Sequence, residues 1–131
     1  MLTSIKVEDY MTKRMVTLKE DTDVIDAIKL MLNHKITCAP VLASNGDIVG
    51  MFSEKDSMKV VLETAYNKGV GGKVSDFMTK DVKTVSSDSS ILDLAEKFQS
   101  SSVRSFPVWE DGNLVGIISR TDILKGLTSI K

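Results

Sequence analysis

The sequence predicts an α+β fold in which two pseudo-symmetric β-α-β-β-α repeats pack sheet to sheet as one module. The first observation is that motifs of the first half recur in the second half, in the same order and at nearly constant spacing. The second is length, because 131 residues suit one compact domain. A half of roughly 65 residues would bury too little surface to be stable alone. We therefore expect two repeats that share one module.

Three motifs carry the internal repeat. A Val-x-Asp-aromatic-Met-Thr-Lys segment occupies 7–13 and 74–80, and a Pro-Val pair begins at Pro40 and Pro107. A Gly-apolar-apolar-Ser-x-x-Asp segment occupies 50–56 and 116–122. The spacing changes by one residue between the second and third motifs, where 44–47 and 111–113 have turn-forming sequences. The predicted boundaries are 1–67 for the first repeat and 68–131 for the second, with a glycine-rich linker at 67–73.

The elements of each half follow from hydrophobic periodicity. In the first half we predict a short helix at 7–11, a brief strand at 15–18, a helix at 23–34, a hairpin of strands at 39–43 and 47–52, and a closing helix at 54–66. The corresponding hairpin of the second half lies at 105–110 and 113–118, and its closing helix at 120–127. The apolar face of the first long helix comprises a row of four residues and two that broaden it: Val24, Ile28, Met31, Lys35, Ile25 and Leu32.

Composition excludes several classes of function. The chain is 42% hydrophobic and 27% charged with a net charge of −1, which is typical of a soluble globular protein without a basic nucleic-acid footprint. It lacks a secretory leader and a long apolar run, so we expect a cytoplasmic protein that does not bind a membrane. One cysteine and one histidine offer no disulfide and no metal cluster. No catalytic motif is evident, so we predict no enzyme, no catalytic residues and no metal.

The repeated β-α-β-β-α order, the apolar-Pro-Val hairpins and the two Gly-apolar-apolar-Ser-x-x-Asp junctions resemble a tandem pair of CBS (cystathionine β-synthase) domains. Each motif alone would be a weak indication, but two copies in matched order are specific. The resemblance implies a regulatory module that binds adenosyl ligands, such as AMP, ADP, ATP or S-adenosylmethionine, in clefts between the repeats. It also implies a homodimer. Because no effector domain is fused to the sequence, we expect a protein target in trans.

The resemblance also implies two nucleotide sites, each combining the base-binding strands of one repeat with the Ser-x-x-Asp junction of the other. The first site would contain Val16, Ile36, Thr37, Cys38, Ile117, Ser119, Arg120, Thr121 and Asp122. The second site would contain Lys83, Val103, Arg104, Ser105, Met51, Ser53, Lys55 and Asp56. Glu54 stands where the other junction has Arg120, and a carboxylate would repel phosphate. We therefore expect the Asp122 site to bind more tightly.

The chemistry of the junction suits a nucleotide. A carboxylate can accept hydrogen bonds from both ribose hydroxyls, and the beginning of a helix offers free N–H groups to a phosphate. The same Ser-x-x-Asp spacing also forms a capping box, in which the acid bonds the backbone of the serine. The two roles are compatible. The alternative function, from a different class, is a ligand-free dimerisation or adaptor module.

Overall fold

The computed structural model describes residues 2–67, 69 and 71–129; Lys68, the predicted first residue of the second repeat, and Val70 of the linker lie outside this part. Within it the chain forms two compact units. The first-repeat unit is Val16–Val82, and the second-repeat unit combines Met1–Met15 with Lys83–Lys131. Each is described by itself below.

The described elements confirm the predicted fold class, because each unit contains a three-stranded sheet with helices. The helices are α1 (Val7–Tyr10), α2 (Val24–His34), α3 (Glu54–Asn67), α4 (Val74–Phe77), α5 (Ile91–Gln99) and α6 (Arg120–Thr128). The strands are β1 (Leu18–Lys19), β2 (Cys38–Leu42), β3 (Ile48–Ser53), β4 (Val85–Ser86), β5 (Ser105–Glu110) and β6 (Asn113–Ser119). In both sheets the first strand pairs parallel with the second, and the second pairs antiparallel with the third.

The two short lead-in helices each join the core of the other repeat. Val7 of α1 is fully buried among β4, β5 and β6 side chains, and Val74 of α4 is fully buried among those of β1, β2 and β3. Backbone bridges between Thr12 and Ile117 and between Thr79 and Met51 fasten the chain after each helix. The packed units therefore divide the chain differently from the sequence boundary at 67/68, which rests on similarity between repeats.

Glycine is required where the segment after each lead-in helix contacts the last strand of its sheet. A Cβ on Gly50 would lie 2.5 Å from the Met78 sulfur and 2.9 Å from the Thr79 carbonyl oxygen. A Cβ on Gly116 would lie 2.8 Å from the Met11 sulfur. Such distances are shorter than any van der Waals contact, so a side chain would push the lead-in away from the strand. The glycine of the third motif and the methionine of the first thus form one close contact in each unit.

The periodicity of α2 predicted its buried face only in part. Val24 and Met31 are buried, but Leu32 is 72% exposed and does not extend the apolar face. Lys35 was wrongly assigned to the helical row, because it ends the helix in the left-handed conformation with φ 54°. Its N–H bonds the carbonyl oxygens at the helix end, as left-handed caps do. Asp23 caps the beginning of the helix, because its carboxylate accepts the N–H groups of Ile25 and Asp26.

The first strand of the first-repeat sheet is shorter than the sequence indicated. The strand predicted at 15–18 lies at Leu18–Lys19, where it pairs with Val41 and Leu42. Only one of its two side chains, that of Leu18, is buried. The remaining strands start or end within one or two residues of their predicted bounds. The residues before Leu18 therefore reach the sheet without joining its ladder.

The lead-in contact yields a test of stability. Gly50→Ala is expected to lower the free energy of unfolding by about 1–3 kcal/mol, because the added methyl overlaps Met78 and the backbone of Thr79. Urea denaturation followed by circular dichroism measures the change. Ser44→Ala, on the exposed hairpin turn of the same unit, is the matched control and should change stability little. Equal stability of the two variants would contradict the close contact.

Candidate functional site

The predicted junction of the second-repeat unit is a complete capping box. Ser119 ends β6 and caps α6, and its backbone N–H donates to Asp122 Oδ2 at 2.9 Å. Its hydroxyl donates to the same oxygen at 3.1 Å and accepts the Asp122 N–H at 3.4 Å. Asp122 is 7% exposed. The capping role is thus present, and it holds the carboxylate in one orientation.

The junction of the first-repeat unit repeats this box and adds two donors. Ser53 donates its N–H and hydroxyl to Asp56 Oδ2, both at 3.0 Å. The other carboxylate oxygen, Oδ1, accepts Lys59 Nζ at 2.9 Å and the Thr79 hydroxyl at 3.2 Å. Asp56 is 2% exposed, whereas the Lys59 side chain is 55% exposed. Both oxygens of this carboxylate therefore have protein donors.

The two carboxylates differ in the oxygen that is left for a ligand. Within the described part of the chain, Asp122 Oδ1 has no hydrogen-bond donor, although Lys125 and Thr12 occupy the positions that correspond to Lys59 and Thr79. A ribose hydroxyl could bond Asp122 Oδ1 without displacing a protein group. At Asp56 it would compete with the lysine and the threonine. The geometry thus favours the Asp122 junction, as the sequence suggested for a different reason.

Arg120 lies at this junction but contacts its own unit. Its Nη2 is 3.3 Å from the carbonyl oxygens of both Ser101 and Val103, and its guanidinium carbon is 5.8 Å from the centre of the Phe98 ring. The side chain is exposed. A guanidinium is the preferred group for a phosphate, and here it is held beside the helix by weak contacts. Glu54, its counterpart, donates only its backbone N–H, to the Thr37 carbonyl.

The structure places the remaining predicted residues at strand ends and loops. Cys38 lies opposite Ser53 across the β2–β3 ladder, and Ser105 lies opposite Ser119 across the β5–β6 ladder. In each unit the pairing thus brings a residue of one predicted site beside a serine of the other. The Ser105 hydroxyl is buried, and the structure gives it no hydrogen-bond partner. The other predicted residues are half-buried or exposed: Val16, Ile36, Thr37, Met51, Lys55, Lys83, Val103, Arg104, Ile117 and Thr121. Their assignment to two sites stays a prediction.

Sequence reasoning did not name Thr79 and Lys59, which bond Asp56. Two signals pointed to them. Thr79 belongs to the repeated lead-in motif, and Lys59 follows Asp56 by three residues, the spacing of neighbours on a helix surface. Neither signal distinguishes the two repeats, since Thr12 and Lys125 have the same spacing. Only the side-chain conformations reveal the difference.

A cavity of about 470 Å³ lies elsewhere in the second-repeat unit, at the edge formed by β4 and β5. It contains none of the predicted site residues. Its lining includes the carboxylates of Glu8, Asp88, Glu110 and Asp111, which would repel a phosphate. In the described residues no group of three or more histidine, cysteine or acidic side chains could hold a metal ion. The cavity is therefore not the predicted nucleotide site.

The comparison with protein families agrees with the duplicated junction. The family model for the CBS domain matches residues 7–63 and 74–129. The chain belongs to the CBS-domain family. Its two matches cover both copies of the three motifs, so the internal repeat is a CBS pair. No helix within the described residues has the length and hydropathy needed to traverse a lipid bilayer.

Three solved structures resemble this CBS pair. The CBS-domain protein ATU1752 of Agrobacterium tumefaciens has a TM-score of 0.85 at 30% identity, with 95% of each chain covered. CBSX2, solved in complex with AMP, has a TM-score of 0.83 at 30% identity, covering 95% of this chain and 97% of that one. The CBS pair of MJ0100, solved with 5′-methylthioadenosine and S-adenosyl-L-methionine, has a TM-score of 0.81 at 26% identity, covering 96% and 98%.

Curated relatives contain the CBS pair in proteins of different length. In Methanocaldococcus jannaschii, MJ1426 is 31% identical, with 92% of this chain and 90% of the relative aligned. MJ1225 of the same organism is 29% identical over 94% of this chain but only 43% of its own length. The homoserine O-acetyltransferase of Methanococcoides burtonii is 32% identical over 93% of this chain and 24% of the enzyme. The chain thus spans less than half of the latter two.

The unequal carboxylate environments lead to a second test of stability. Asp56→Ala is expected to lower the free energy of unfolding by about 2–4 kcal/mol, because it removes the reciprocal half of a capping box and the hydrogen bonds that Lys59 and Thr79 donate to a buried carboxylate. Asp122→Ala removes only the reciprocal half of a capping box, while Ser119 still caps α6, and it should lower the free energy of unfolding by about 1–2 kcal/mol. Urea unfolding measures both values.

Lys59→Ala is the control for the ion pair, because an exposed lysine should contribute no more than about 1 kcal/mol. Equal losses for the two aspartate variants would show that the additional donors at Asp56 contribute nothing measurable.

Proposed function

We propose that this CBS pair is a regulatory module that binds an adenosyl ligand, of the AMP, ADP, ATP or S-adenosylmethionine type, between its repeats. The observation that carries the proposal is the Asp122 carboxylate, which Ser119 orients through Oδ2 while Oδ1 has no donor among the described residues. A fixed, buried carboxylate with one open oxygen suits the two hydroxyls of a ribose. The module has no catalytic role of its own in this proposal.

Related proteins support the class of ligand. CBSX2 has been solved with AMP and the MJ0100 pair with 5′-methylthioadenosine and S-adenosyl-L-methionine, at 30% and 26% identity to this chain. These ligands share an adenine and a ribose but differ in charge beyond the ribose. The shared part is what the Asp122 junction would hold. The group attached to the ribose would lie toward Arg120 and Thr121, where a phosphate would meet the beginning of α6.

The proposal extends to a response. A ligand that binds one arrangement of the module more tightly shifts the population toward it, and a partner protein can bind the favoured arrangement. We propose that this partner acts in trans. A cytoplasmic location stays a prediction of the sequence.

Calorimetric titration with AMP, ADP, ATP, S-adenosylmethionine and NAD tests the proposal. At least one adenosyl ligand is expected to bind, and Asp122→Ala should weaken the tighter site by roughly ten- to hundredfold, the range for a charge-assisted hydrogen bond. Asp93→Ala is the matched control, because Asp93 follows the cap Ser90 at the same spacing but is exposed on α5. The affinity of the Asp93→Ala variant for the ligand should equal that of the natural chain.

Circular dichroism confirms that both variants are folded before titration. Unchanged ligand affinity of Asp122→Ala would show that Asp122 serves only in the capping box of α6 and does not bind the ligand. Failure of all five ligands to bind the natural chain would refute the sensing role and favour the dimerisation or adaptor module instead.

Self-association is the second part of the proposed function. One face of α3 carries four large apolar side chains that are more than half exposed, at the three- and four-residue spacing of a helical stripe: Met58, Val61, Leu62 and Tyr66. Apolar area of this kind is uncommon on a monomer surface and is typical of an interface. We propose that it supports a homodimer.

Light scattering coupled to gel filtration tests the homodimer. Val61→Glu places a charge in the middle of the stripe and is expected to shift the chain from dimer to monomer, because an unpaired charge in an interface is strongly unfavourable. Ser44→Glu adds the same charge on an exposed turn and should remain dimeric. A natural chain that is monomeric at every concentration would contradict the dimer.

A further inference from the structure

Arg120 fastens the loop between α5 and β5. Its Nη2 donates to the carbonyl oxygens of Ser101 and Val103, both at 3.3 Å, and its guanidinium lies over the Phe98 ring at 5.8 Å. The loop residues 101–104 form no helix or strand, and the Ser101 hydroxyl, at 3.1 Å, is the one partner of the Val103 N–H among the described residues. A single side chain from the beginning of α6 thus bridges two carbonyls of the loop, those of Ser101 and Val103.

The first repeat closes the corresponding loop without a side chain. There α2 ends at Lys35 in the left-handed conformation, and the Ile36 N–H bonds the Met31 carbonyl oxygen at 3.1 Å. Glu54, at the position of Arg120, cannot donate from its side chain. By contrast, α5 ends at Ser100 with φ −92° and ψ 7°, without a left-handed cap. The arginine clamp is therefore a property of the second repeat alone.

The clamp is weak enough for a phosphate to break. One nitrogen is shared between two neutral acceptors at long distance, and the side chain is exposed to water. A phosphate accepts two parallel, charge-assisted hydrogen bonds from a guanidinium, and these are roughly twice as strong as bonds to neutral groups. A phosphate bound beside Ser119 and Asp122 would therefore take the guanidinium from the loop.

We propose that Arg120 is a switch that couples the two predicted sites. Without phosphate it holds the loop, and a phosphate at the Asp122 junction draws it away and loosens residues 101–104. The same loop contains Val103 and Arg104 and is followed by Ser105, and all three belong to the second predicted site. A ligand bound at that site must therefore order the loop again. Occupation of the first site weakens the second, and the effect is reciprocal. The inference rests on the proposed function.

Hydrogen–deuterium exchange of the full chain tests the clamp without ligand. The Val103 amide is the reporter, because its own hydrogen bond stays within the loop. In Arg120→Met, exchange over 101–104 is expected to be roughly three- to tenfold faster, as for the loss of one or two weak hydrogen bonds. Arg120→Lys, which cannot bridge both carbonyls, should behave similarly. Glu54→Met, at the matched position of the first repeat, should leave this loop unchanged.

Comparison of AMP with adenosine tests the release. Both carry the same base and ribose, so only AMP can draw Arg120 away through a phosphate. At saturation of the natural chain, exchange over 101–104 should be faster with AMP than with adenosine. In Arg120→Met the difference between the two ligands should disappear. Calorimetry on the same samples establishes that each ligand is bound.

The outcomes separate the switch from the function on which it rests. Unchanged loop exchange in Arg120→Met without ligand would overturn the clamp. Equal exchange with AMP and adenosine, when calorimetry shows both bound to the natural chain, would overturn the release and leave the proposed function standing. Failure of AMP, ADP and ATP to bind would overturn the switch and leave the proposed function to S-adenosylmethionine and NAD, whereas failure of all five ligands would overturn the proposed function and the switch together.

Discussion

The backbone bridge between each lead-in segment and the last strand of a sheet is the constraint on which the structure depends. Thr79 and Met51 exchange two hydrogen bonds of 2.8 and 2.9 Å, and Thr12 and Ile117 exchange two of 2.8 and 3.0 Å. Such close approach of two backbones admits only hydrogen on the strand residue before the bridge, hence the glycines of the repeated motif. Each bridge holds a lead-in helix against a sheet, so that one valine of that helix is buried in the core. In the first-repeat unit the bridge also places the Thr79 hydroxyl beside Asp56. Fold and candidate site thus share one set of contacts.

The two junctions show how a duplicated sequence becomes unequal. Each has a serine cap and a reciprocal aspartate, which are local interactions that the sequence spacing determines. The difference lies in longer side chains, which can choose among partners. Lys59 folds back onto Asp56, whereas Arg120 turns toward the loop after α5. In the first repeat the lysine therefore bonds the carboxylate. In the second repeat one carboxylate oxygen has no donor among the described residues, and the guanidinium lies beside the helix. That asymmetry supports the proposal of two unlike sites rather than two equal ones.

The sequence was sufficient to predict the helices and strands but not the contacts that each of them makes. Helix bounds, both hairpins and the caps at Asp23 and Ser119 followed from local patterns, because caps and turns depend on residues within one turn of chain. Leu32 was misplaced because periodicity identifies an apolar face but cannot say whether a partner covers all of it. The contacts of Thr79 with Asp56 and of Arg120 with Val103 join residues 23 and 17 positions apart. No local spacing predicts such contacts, and the packing of the lead-in helices was missed for the same reason.

Because each lead-in helix packs in the core of the other repeat, the two cores are completed at different stages of synthesis. A ribosome that has delivered residue 82 has supplied every member of the first-repeat core, from Leu18 to Val74, as one continuous segment. Val7 is made earlier but packs in the same core as Ile118, so that core is incomplete until Ile118 has been made. Closing that long loop carries a larger entropy cost than closing the short ones. The central segment can therefore form its core contacts during translation, while the Val7 side chain has no core to join until β6 has been made.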